Sequence, residues 1–300
     1  MNRFDLDRRT FLQSAGVGLA AVGLGTAVHG NLMAAEPKRS LKKAVKYAMI
    51  QLPNASIEDK LNLVKELGFL GVEMDSPSDV NFAEAAKASE KTGIKIHGII
   101  DSKHWDIRLS DPDPAVRAKG LEILKQALKD AQSVGADTVL LVPGKVSNKD
   151  TENYDQCYSR SQEEIRNAIP LAEELKVRIA IEVVWNDFIT TPQQFVQYID
   201  DFKNPIVGGY FDCSNIVKYR VPPADWIRAL GKRMLKFDFK GYSLEKQWVP
   251  IGEGDEDWPM ILKALDEIEY HGWATAEVGG GGREHLKDVA ARMNKCLQLE

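Results

Sequence analysis

Paired cysteines, basic clusters and a dinucleotide-binding turn are all missing from this chain. The three cysteines, Cys157, Cys213 and Cys296, are scattered and odd in number, so they indicate neither a disulfide framework nor a zinc site. No run of Lys and Arg alternates with aromatic residues, and the net charge is −5, which argues against a nucleic-acid partner. The first predicted turn, QLPNAS, lacks the glycines that a dinucleotide needs. Hydrophobic residues make up 44% of the 300 residues, a proportion that is typical of a globular enzyme and sufficient for a large core.

The N-terminus has the pattern of an export signal rather than of a folded domain. The paired arginines Arg8 and Arg9 precede Phe-Leu, then a weakly apolar stretch rich in Ala and Gly, and then the small residues of NLMAAEP. This resembles a twin-arginine signal over residues 1–35. The alternative is an amphipathic anchor or an uncleaved transmembrane helix, which the glycine content and the short apolar run disfavour. We therefore expect a periplasmic or otherwise exported protein that meets the membrane only during export.

From residue 42 onward, short apolar runs alternate with amphipathic helical stretches. Eight runs are strand-like: VKYAMIQL, LGVEMDS, IKIHGII, TVLLVPG, RIAIEVV, VGGYFD, LKFDFK and ATAEV. The helical stretches carry their own end signals: Ser56 and Asp59 have capping-box spacing, and a helix that starts after Asp113 ends before Gly135. Eight strand–helix units predict an α/β fold, a single-domain (β/α)₈ TIM barrel over residues 42–300. A doubly wound open sheet is the rival, but it usually has fewer strands and often a Gly-rich first turn.

Each of the last four predicted strands carries an acidic residue near its carboxyl end. These residues are Glu182, Asp212, Asp238 and Glu277. Strand ends meet at the top face of a barrel, where barrel enzymes keep their chemistry, so we expect the four carboxylates to converge. They would repel one another in a low-dielectric pocket, and a hard divalent cation would relieve that repulsion. Alternatively, each acidic residue could be an ion-pair partner or a helix cap. That explanation is less convincing for four acidic residues at the ends of four successive strands. The pattern predicts a shared metal site.

The chain resembles the sugar isomerase/epimerase superfamily of xylose isomerase-like barrels from Val45 to Leu297. The matching segments are IAIEVVWN, YFDCSN, LKFDFKGY, VPIGEGDEDW and ATAEV. The resemblance implies that Glu, Asp, His and Glu at the ends of strands five to eight bind Mn²⁺, Mg²⁺ or a similar ion. It also implies that the two glutamates move a proton on a sugar carbon next to a carbonyl. By motif, Glu182 and Glu277 take these catalytic and ligand positions, and Asp212 takes the aspartate position.

Two positions depart from the family's pattern. Asp238 stands where the family has the histidine of strand seven, and Asn215 stands where it has the histidine of an Asp-x-x-His motif. Carboxylate in place of imidazole hardens the site, which favours Mg²⁺, Mn²⁺ or Ca²⁺ over Zn²⁺. Mg²⁺ or Mn²⁺ is the expected cofactor. The same departures leave room for a reaction other than the standard isomerisation.

Further residues near the predicted strand ends are candidates for substrate binding. They are His97, His104, Trp105, Trp185, Asn215 and Lys240. A histidine could bond a sugar hydroxyl or shuttle a proton, and a tryptophan could stack on a sugar ring, but each is equally a packing residue. Lys240 could polarise a carbonyl or pair with the carboxylates, and Glu73 could support them from behind. The turn GGGGREH, with Arg283, would suit a phosphate, but a flexible loop is favoured.

These observations predict a metal-dependent isomerase or epimerase that acts on a small sugar or glycoside. Glu182 and Glu277, on opposite sides of the substrate, would take a proton from a carbon beside a carbonyl and return one through an enediolate. A first alternative is a lyase, in which the same loss of a proton from a carbon beside the carbonyl leads to release of the aglycone of a 3-keto-glycoside. A second is a carbohydrate-binding barrel without turnover. A DNA-repair nuclease is disfavoured, because that branch uses several histidines as zinc ligands and this chain has five in all.

Overall fold

Eight parallel strands close into a barrel in the computed structural model, which describes residues 40–299. In chain order these strands are β1 (Lys42–Lys46), β2 (Gly71–Ser76), β3 (Lys95–Asp101), β4 (Thr138–Leu141), β5 (Arg178–Glu182), β6 (Val207–Asp212), β7 (Met234–Phe239) and β10 (Trp273–Ala276). Each strand pairs with its neighbours in sequence order, and β10 closes the ring against β1. The predicted TIM barrel is therefore confirmed. The proposed signal over residues 1–35 lies outside the described residues.

Helices follow the strands and surround the barrel. They are α1 (Ile57–Glu66), α2 (Phe82–Thr92), α3 (Pro114–Ser133), α4 (Tyr154–Leu175), α5 (Pro192–Asp200), α6 (Pro223–Leu230), α7 (Trp258–Glu267) and α8 (Arg283–Leu297). The predicted end signals are present: Ser56 and Asp59 form a capping box, Asp113 caps α3, and Gly135 has φ +73° after its end. Within residues 40–299 no helix is both long and apolar enough to cross a membrane.

One element was not predicted from the sequence. Between β7 and α7, the short strands β8 (Tyr242–Ser243) and β9 (Gln247–Trp248) pair antiparallel as a hairpin. Because it follows the carboxyl end of β7, this hairpin lies at the face of the barrel that carries the predicted carboxylates.

The two faces of the barrel strands differ sharply in polarity. On β7, Phe237 and Phe239 belong to the apolar core, whereas the alternating residues Lys236 and Asp238 are buried and polar. Tyr210 of β6 hydrogen-bonds Glu73 of β2 as well as Asp238. Since β2 and β6 lie on opposite sides of the ring, these bonds cross the barrel interior. The interior is thus a network of paired polar groups, and Asp238 points into it as the predicted register requires.

Candidate active site

A cavity of about 680 Å³ opens at the carboxyl ends of the barrel strands. Its charged and polar lining residues come from seven strand ends or the loops directly after them and include Lys46, Asp75, His104, Glu182, Asn215, Lys240 and Glu277. Its volume falls within the roughly 300–1,000 Å³ typical of small-molecule sites. This cavity is therefore the candidate active site.

Three of the four predicted carboxylates form a cluster, and two of them, Glu182 and Glu277, line the cavity directly. Glu182 ends β5, Asp212 ends β6, and Glu277 directly follows β10. One carboxylate oxygen from each lies within 4.8 Å of those from the other two. Glu182 and Asp212 are buried, while the side chain of Glu277 is 38% exposed at the rim. We call Glu182, Asp212 and Glu277 the carboxylate triad.

Lys240 brings a positive charge into the carboxylate triad. It lies two residues beyond Asp238, and its Nζ donates to Asp212 Oδ2 and pairs with Glu277 Oε2 at 2.6 Å. The side-chain oxygen of Asn215 lies 3.4 Å from the same Nζ. Burial alone would lower the pKa of Lys240, but Asp212 and Glu277 raise it above its usual range, so the ammonium stays charged.

Glu182 and Asp212 are held by groups from the turn after β6. The Nδ2 of Asn215 donates to Glu182 Oε1 at 3.0 Å. Oδ1 of Asp212 accepts the backbone N–H groups of Ser214 and Asn215 at 2.8 and 3.0 Å. Asn215 therefore orients one carboxylate of the triad through its side chain and another through its backbone.

The environments of Glu182 and Glu277 shift their pKa values in opposite directions. Burial, followed by repulsion from Glu277, raises the pKa of Glu182 well above its ordinary value. Desolvation also opposes the charge of Glu277, but the ammonium groups of Lys240 and Lys46 lower its pKa overall. Two carboxyl groups with divergent pKa values are the arrangement in which one can hold a proton while the other accepts one.

Asp238, predicted as a fourth metal ligand, lies outside the carboxylate triad. Its Oδ2 pairs with Lys46 Nζ at 2.6 Å, and its Oδ1 accepts the hydroxyl of Tyr210 at 2.7 Å. Lys46 also pairs with Glu73 at 2.5 Å. Burial works against the charge on Lys46, yet Asp238 and Glu73 raise its pKa. The cation that neutralises Asp238 is thus a lysine of β1, and Glu73 supports that lysine rather than the triad.

The two candidate histidines have different surroundings. His104 lines the cavity, and its Nδ1 accepts the backbone N–H of Val142 at 3.3 Å. Burial lowers the pKa of His104 to about 4, so the ring is neutral and carries its proton on Nε2. His97 instead stacks on Trp273 with ring centroids 4.2 Å apart, and its Nδ1 lies 3.3 Å from Lys236 Nζ. His97, predicted as a substrate-binding residue, is not among the residues that line the cavity, and its contacts are those of a packed interior side chain.

Aromatic side chains form part of the cavity wall. Trp105 and Trp185 both line the cavity, as their positions after strand ends suggested. The indole N–H of Trp185 donates to the backbone oxygen of Asn215 at 2.7 Å, and its ring stacks on Trp248 with centroids 5.0 Å apart. The sequence analysis missed Trp248 because it missed the hairpin.

Two charged residues of the lining were also missed, although the sequence held a signal for each. Lys46 interrupts the apolar run VKYAMIQL, and a lysine in a buried strand needs an acidic partner. Asp75 follows Glu73 by two residues and therefore shares its face of β2. Burial raises the pKa of Asp75, with Lys46 opposing that shift.

The glycine-rich turn before α8 offers little positive charge to a phosphate. Arg283 pairs with Glu66 at 2.7 Å on the exposed surface. Among the described residues that line the cavity, the basic side chains are Lys46 and Lys240, and each is paired with two carboxylates. A phosphate near GGGGREH would therefore find both cavity lysines and Arg283 already paired with carboxylates.

The carboxylate triad fits a hard divalent cation. Three carboxylates against the single ammonium of Lys240 leave a formal charge of −2 in a largely buried site. Oxygen ligands in such a cluster suit Mg²⁺ or Mn²⁺ better than Zn²⁺, which prefers nitrogen and sulfur.

The chain is similar in sequence to a known protein family and to sugar epimerases. A sequence model of the family described as xylose isomerase-like TIM barrel matches residues 61–296. L-ribulose-5-phosphate 3-epimerase UlaE of Escherichia coli K12 is 27% identical over 263 residues, which cover 81% of this chain and 92% of that enzyme.

Solved structures share the fold. D-psicose 3-epimerase, crystallised in the presence of D-fructose, has a TM-score of 0.71 at 23% identity over 86% of this chain and 99% of that one. The apo form of 3-keto-D-glucoside 4-epimerase YcjR from E. coli has a TM-score of 0.72 at 15% identity over 86% and 99%. At these identities the structural likeness establishes the barrel and its arrangement of elements.

Proposed function

The chain belongs to the xylose isomerase-like TIM barrel family, and from that premise we propose a sugar epimerase or isomerase that moves a proton on a carbon next to a carbonyl. The observation that carries the proposal is the convergence of Glu182, Asp212 and Glu277 at the cavity. The names of the related proteins, all sugar epimerases, support the same reaction class.

Glu182 and Glu277 are the proposed proton-transfer pair. One carboxylate removes the proton from the carbon beside the carbonyl, which leaves an enediolate, and a carboxyl group then returns a proton. Return to the opposite face of the same carbon gives epimerisation, and return to the neighbouring carbon gives aldose–ketose isomerisation. Asn215 acts as a positioning residue, because its amide holds the Glu182 carboxylate.

Lys240 and His104 would stabilise negative charge on the substrate oxygens. Lys240 Nζ lies among the carboxylates and remains an ammonium, and neutral His104 presents a ring N–H at the cavity wall. Donors held in place before charge develops on an oxygen are an effective form of transition-state stabilisation. Trp105 and Trp185 would supply apolar surface to the sugar ring.

The proposed cofactor is Mg²⁺ or Mn²⁺, held by Glu182, Asp212 and Glu277. When bound, such an ion acts as a Lewis acid for adjacent carbonyl and hydroxyl oxygens. The oxygen-only donor set and its formal charge of −2 support the proposal. Asp238 is left out of this ligand set, because Lys46 neutralises it.

A lyase is the second candidate, and the space next to the main cavity supports it, because a lyase needs room for an aglycone. Beyond Trp248 lies a further cavity of about 320 Å³, where the aglycone of a glycoside could lie. If the substrate were a 3-keto-glycoside, the same loss of a proton would allow β-elimination of the aglycone. The two candidates share Glu182 and Glu277 and differ in their products.

A product assay separates these functions. The enzyme, loaded with Mg²⁺ or Mn²⁺, is incubated with a panel of free ketoses and 3-keto-glycosides, and products are resolved by chromatography and NMR. New epimers or isomers support the proposed function, whereas released aglycone supports the lyase. Binding without any product would leave a carbohydrate-binding barrel and would refute both enzyme proposals.

Export through the twin-arginine pathway is also a proposal, carried by the sequence of residues 1–35. It is tested by expressing the full chain and the Arg8→Lys, Arg9→Lys double variant in a Gram-negative host. Periplasmic recovery that the double variant loses supports export. Equal cytoplasmic recovery of both proteins refutes it.

A further inference from the structure

The hairpin of β8 and β9 is fixed firmly to the top of the barrel. The backbone N–H of Tyr242 donates to Glu256 Oε1 at 2.8 Å, and that of Leu244 donates to Asp255 Oδ2 at 2.7 Å. The N–H of Val249 donates to the carbonyl oxygen of Gly241 at 3.0 Å, which closes the base of the hairpin. Its side chains are therefore held in defined positions beside the cavity.

Three aromatic rings join the hairpin to the active-site wall. Trp185 and Trp248 stack with an interplanar angle of 15°, and Tyr242 contacts both of them edge-on with ring centroids 4.9 and 5.0 Å away. We call these three residues the aromatic wall. Tyr242 is buried, but Trp248 is 50% exposed. Such mutual packing fixes the rings, while about half of the Trp248 surface stays accessible.

Trp248 borders two connected spaces. It lines the main cavity of about 680 Å³ and an adjoining cavity of about 320 Å³, which share Lys240 and Glu277 as well. The other residues that line the adjoining cavity are small or apolar: Gly241, Val249, Pro250, Gly279 and Val278, which also lines the main cavity. A sugar ring bound at the carboxylate triad would leave this second space unfilled.

The charges around these spaces favour an uncharged occupant. Lys240, the basic residue at their junction, is already paired with Asp212 and Glu277. Arg283, in the glycine-rich segment that follows, is paired with Glu66. A phosphate placed here would meet carboxylates without a free cation among the described lining residues. Stacking on an indole face, by contrast, suits an aromatic ring or the apolar face of a second sugar.

We propose that Trp248, held in place by Trp185 and Tyr242, forms a subsite for the aglycone, or second ring, of a neutral glycoside whose first ring lies at the carboxylate triad. The inference rests on the proposed function and narrows its substrate from a free or phosphorylated sugar to a glycoside. Trp248 is then a specificity-determining residue. It affects binding of the second ring and leaves the groups at the reacting carbon unchanged.

Binding of non-reacting probes tests the subsite without any turnover. Isothermal titration calorimetry compares the phenyl and methyl D-glucopyranosides, in both anomers, on the wild-type protein. We expect one phenyl glucoside to bind about tenfold more tightly than its methyl counterpart, the size of an added ring contact. Trp248→Ala should abolish that preference without changing the affinity for the methyl glucoside, and Trp248→Phe should restore part of it.

Leu244→Ala is the matched control, because Leu244 is exposed on the same hairpin and does not line either cavity. It should keep the full preference for the phenyl glucoside. The subsite is refuted if neither anomer shows a phenyl preference, or if Trp248→Ala weakens both probes equally. These binding outcomes do not depend on proton transfer. A protein that prefers phenyl glucosides but has no activity would therefore refute the proposed function and leave the subsite supported.

Discussion

Lys240 Nζ and Glu277 Oε2 lie 2.6 Å apart at the mouth of the barrel. They come from neighbouring strands, β7 and β10, whose paired register carries both residues just past the strand ends. This contact places a permanent ammonium beside one of the two proposed proton-transfer groups. It also links the charge of the carboxylate triad to a single residue that can be replaced.

Lys240→Met should slow proton transfer by at least about 100-fold, the usual cost of losing one charge-stabilising donor. The measurement is the rate of substrate conversion at saturating metal. Lys246→Met, an exposed lysine in the turn of the hairpin, is the control and should leave that rate unchanged. Equal rates for Lys240→Met and the wild type would show that this ammonium only balances the charge of the carboxylates.

Asp212→Asn should mainly weaken metal binding, whereas Asp238→Asn should mainly lower the stability of the fold. Asp212→Asn removes a proposed ligand, so equilibrium dialysis should show weaker binding of Mn²⁺. Asp238→Asn removes a partner of buried Lys46, so urea unfolding should show a loss of about 3 kcal/mol while Mn²⁺ binding persists. Loss of Mn²⁺ binding in a folded Asp238→Asn variant would restore Asp238 as a ligand.

The stability of the fold should depend on pH through Asp101, which ends β3 and is 3% exposed. Burial raises the pKa of Asp101 from 3.8 to about 6. The folded state therefore holds this proton more tightly than the unfolded state, and stability falls as the pH rises from about 4 to 6. Above pH 6 the full penalty, up to about 3 kcal/mol, remains.

Asp101→Asn should be as stable as the wild type at pH 4 and more stable at pH 8. The amide oxygen can still accept the backbone N–H of Lys103, which Asp101 accepts at 3.0 Å. Urea unfolding of both proteins at the two pH values measures the difference. A constant difference between them from pH 4 to 8 would show that Asp101 does not titrate in this way.

His104 should remain neutral throughout the physiological range. Burial lowers its pKa to about 4, so the folded protein binds this proton less tightly than the unfolded chain does. Stability should then be lost as the pH falls from about 6.5 to 4. Nitrogen-15 NMR of the ring, assigned with His104→Gln, should show the Nε2–H tautomer from pH 6 to 8. A ring that titrates near pH 6.5 would contradict its role as a neutral donor.

Local patterns were enough to predict the barrel, because strand alternation and helix caps are properties of neighbouring residues. Ser56 and Asp59 form the predicted capping box, and each of the eight predicted runs overlaps a barrel strand. The first run, VKYAMIQL, overlaps β1 only at Val45 and Lys46, because Tyr47–Met49 forms a 3-10 helix. The same reasoning identified Glu182, Asp212 and Glu277, since strand ends of a barrel meet at one face.

The features of the site that could not be predicted depend on contacts between strands that are distant in the sequence. Asp238 does point inward, but Lys46 of β1 neutralises it, and no spacing within LKFDFKGY reveals that partner. The position of His97 near a strand end made it a candidate for substrate binding, but its ring packs on Trp273 of β10. The aromatic wall depended on a hairpin with two residues in each strand, which is too short to leave a periodic pattern. Identifying these features required the closed barrel itself.

The central claim is that Glu182 and Glu277 move a proton on a sugar carbon. Its most direct test is the uptake of deuterium from D₂O into a ketose, followed by NMR, for the Mg²⁺- or Mn²⁺-loaded enzyme. Glu245→Gln, an exposed acid in the hairpin turn, serves as the control. We predict deuterium at one carbon beside the carbonyl for the wild type and Glu245→Gln, and a loss of at least about 100-fold in Glu182→Gln and Glu277→Gln. Uptake that persists in both glutamate variants would contradict the account.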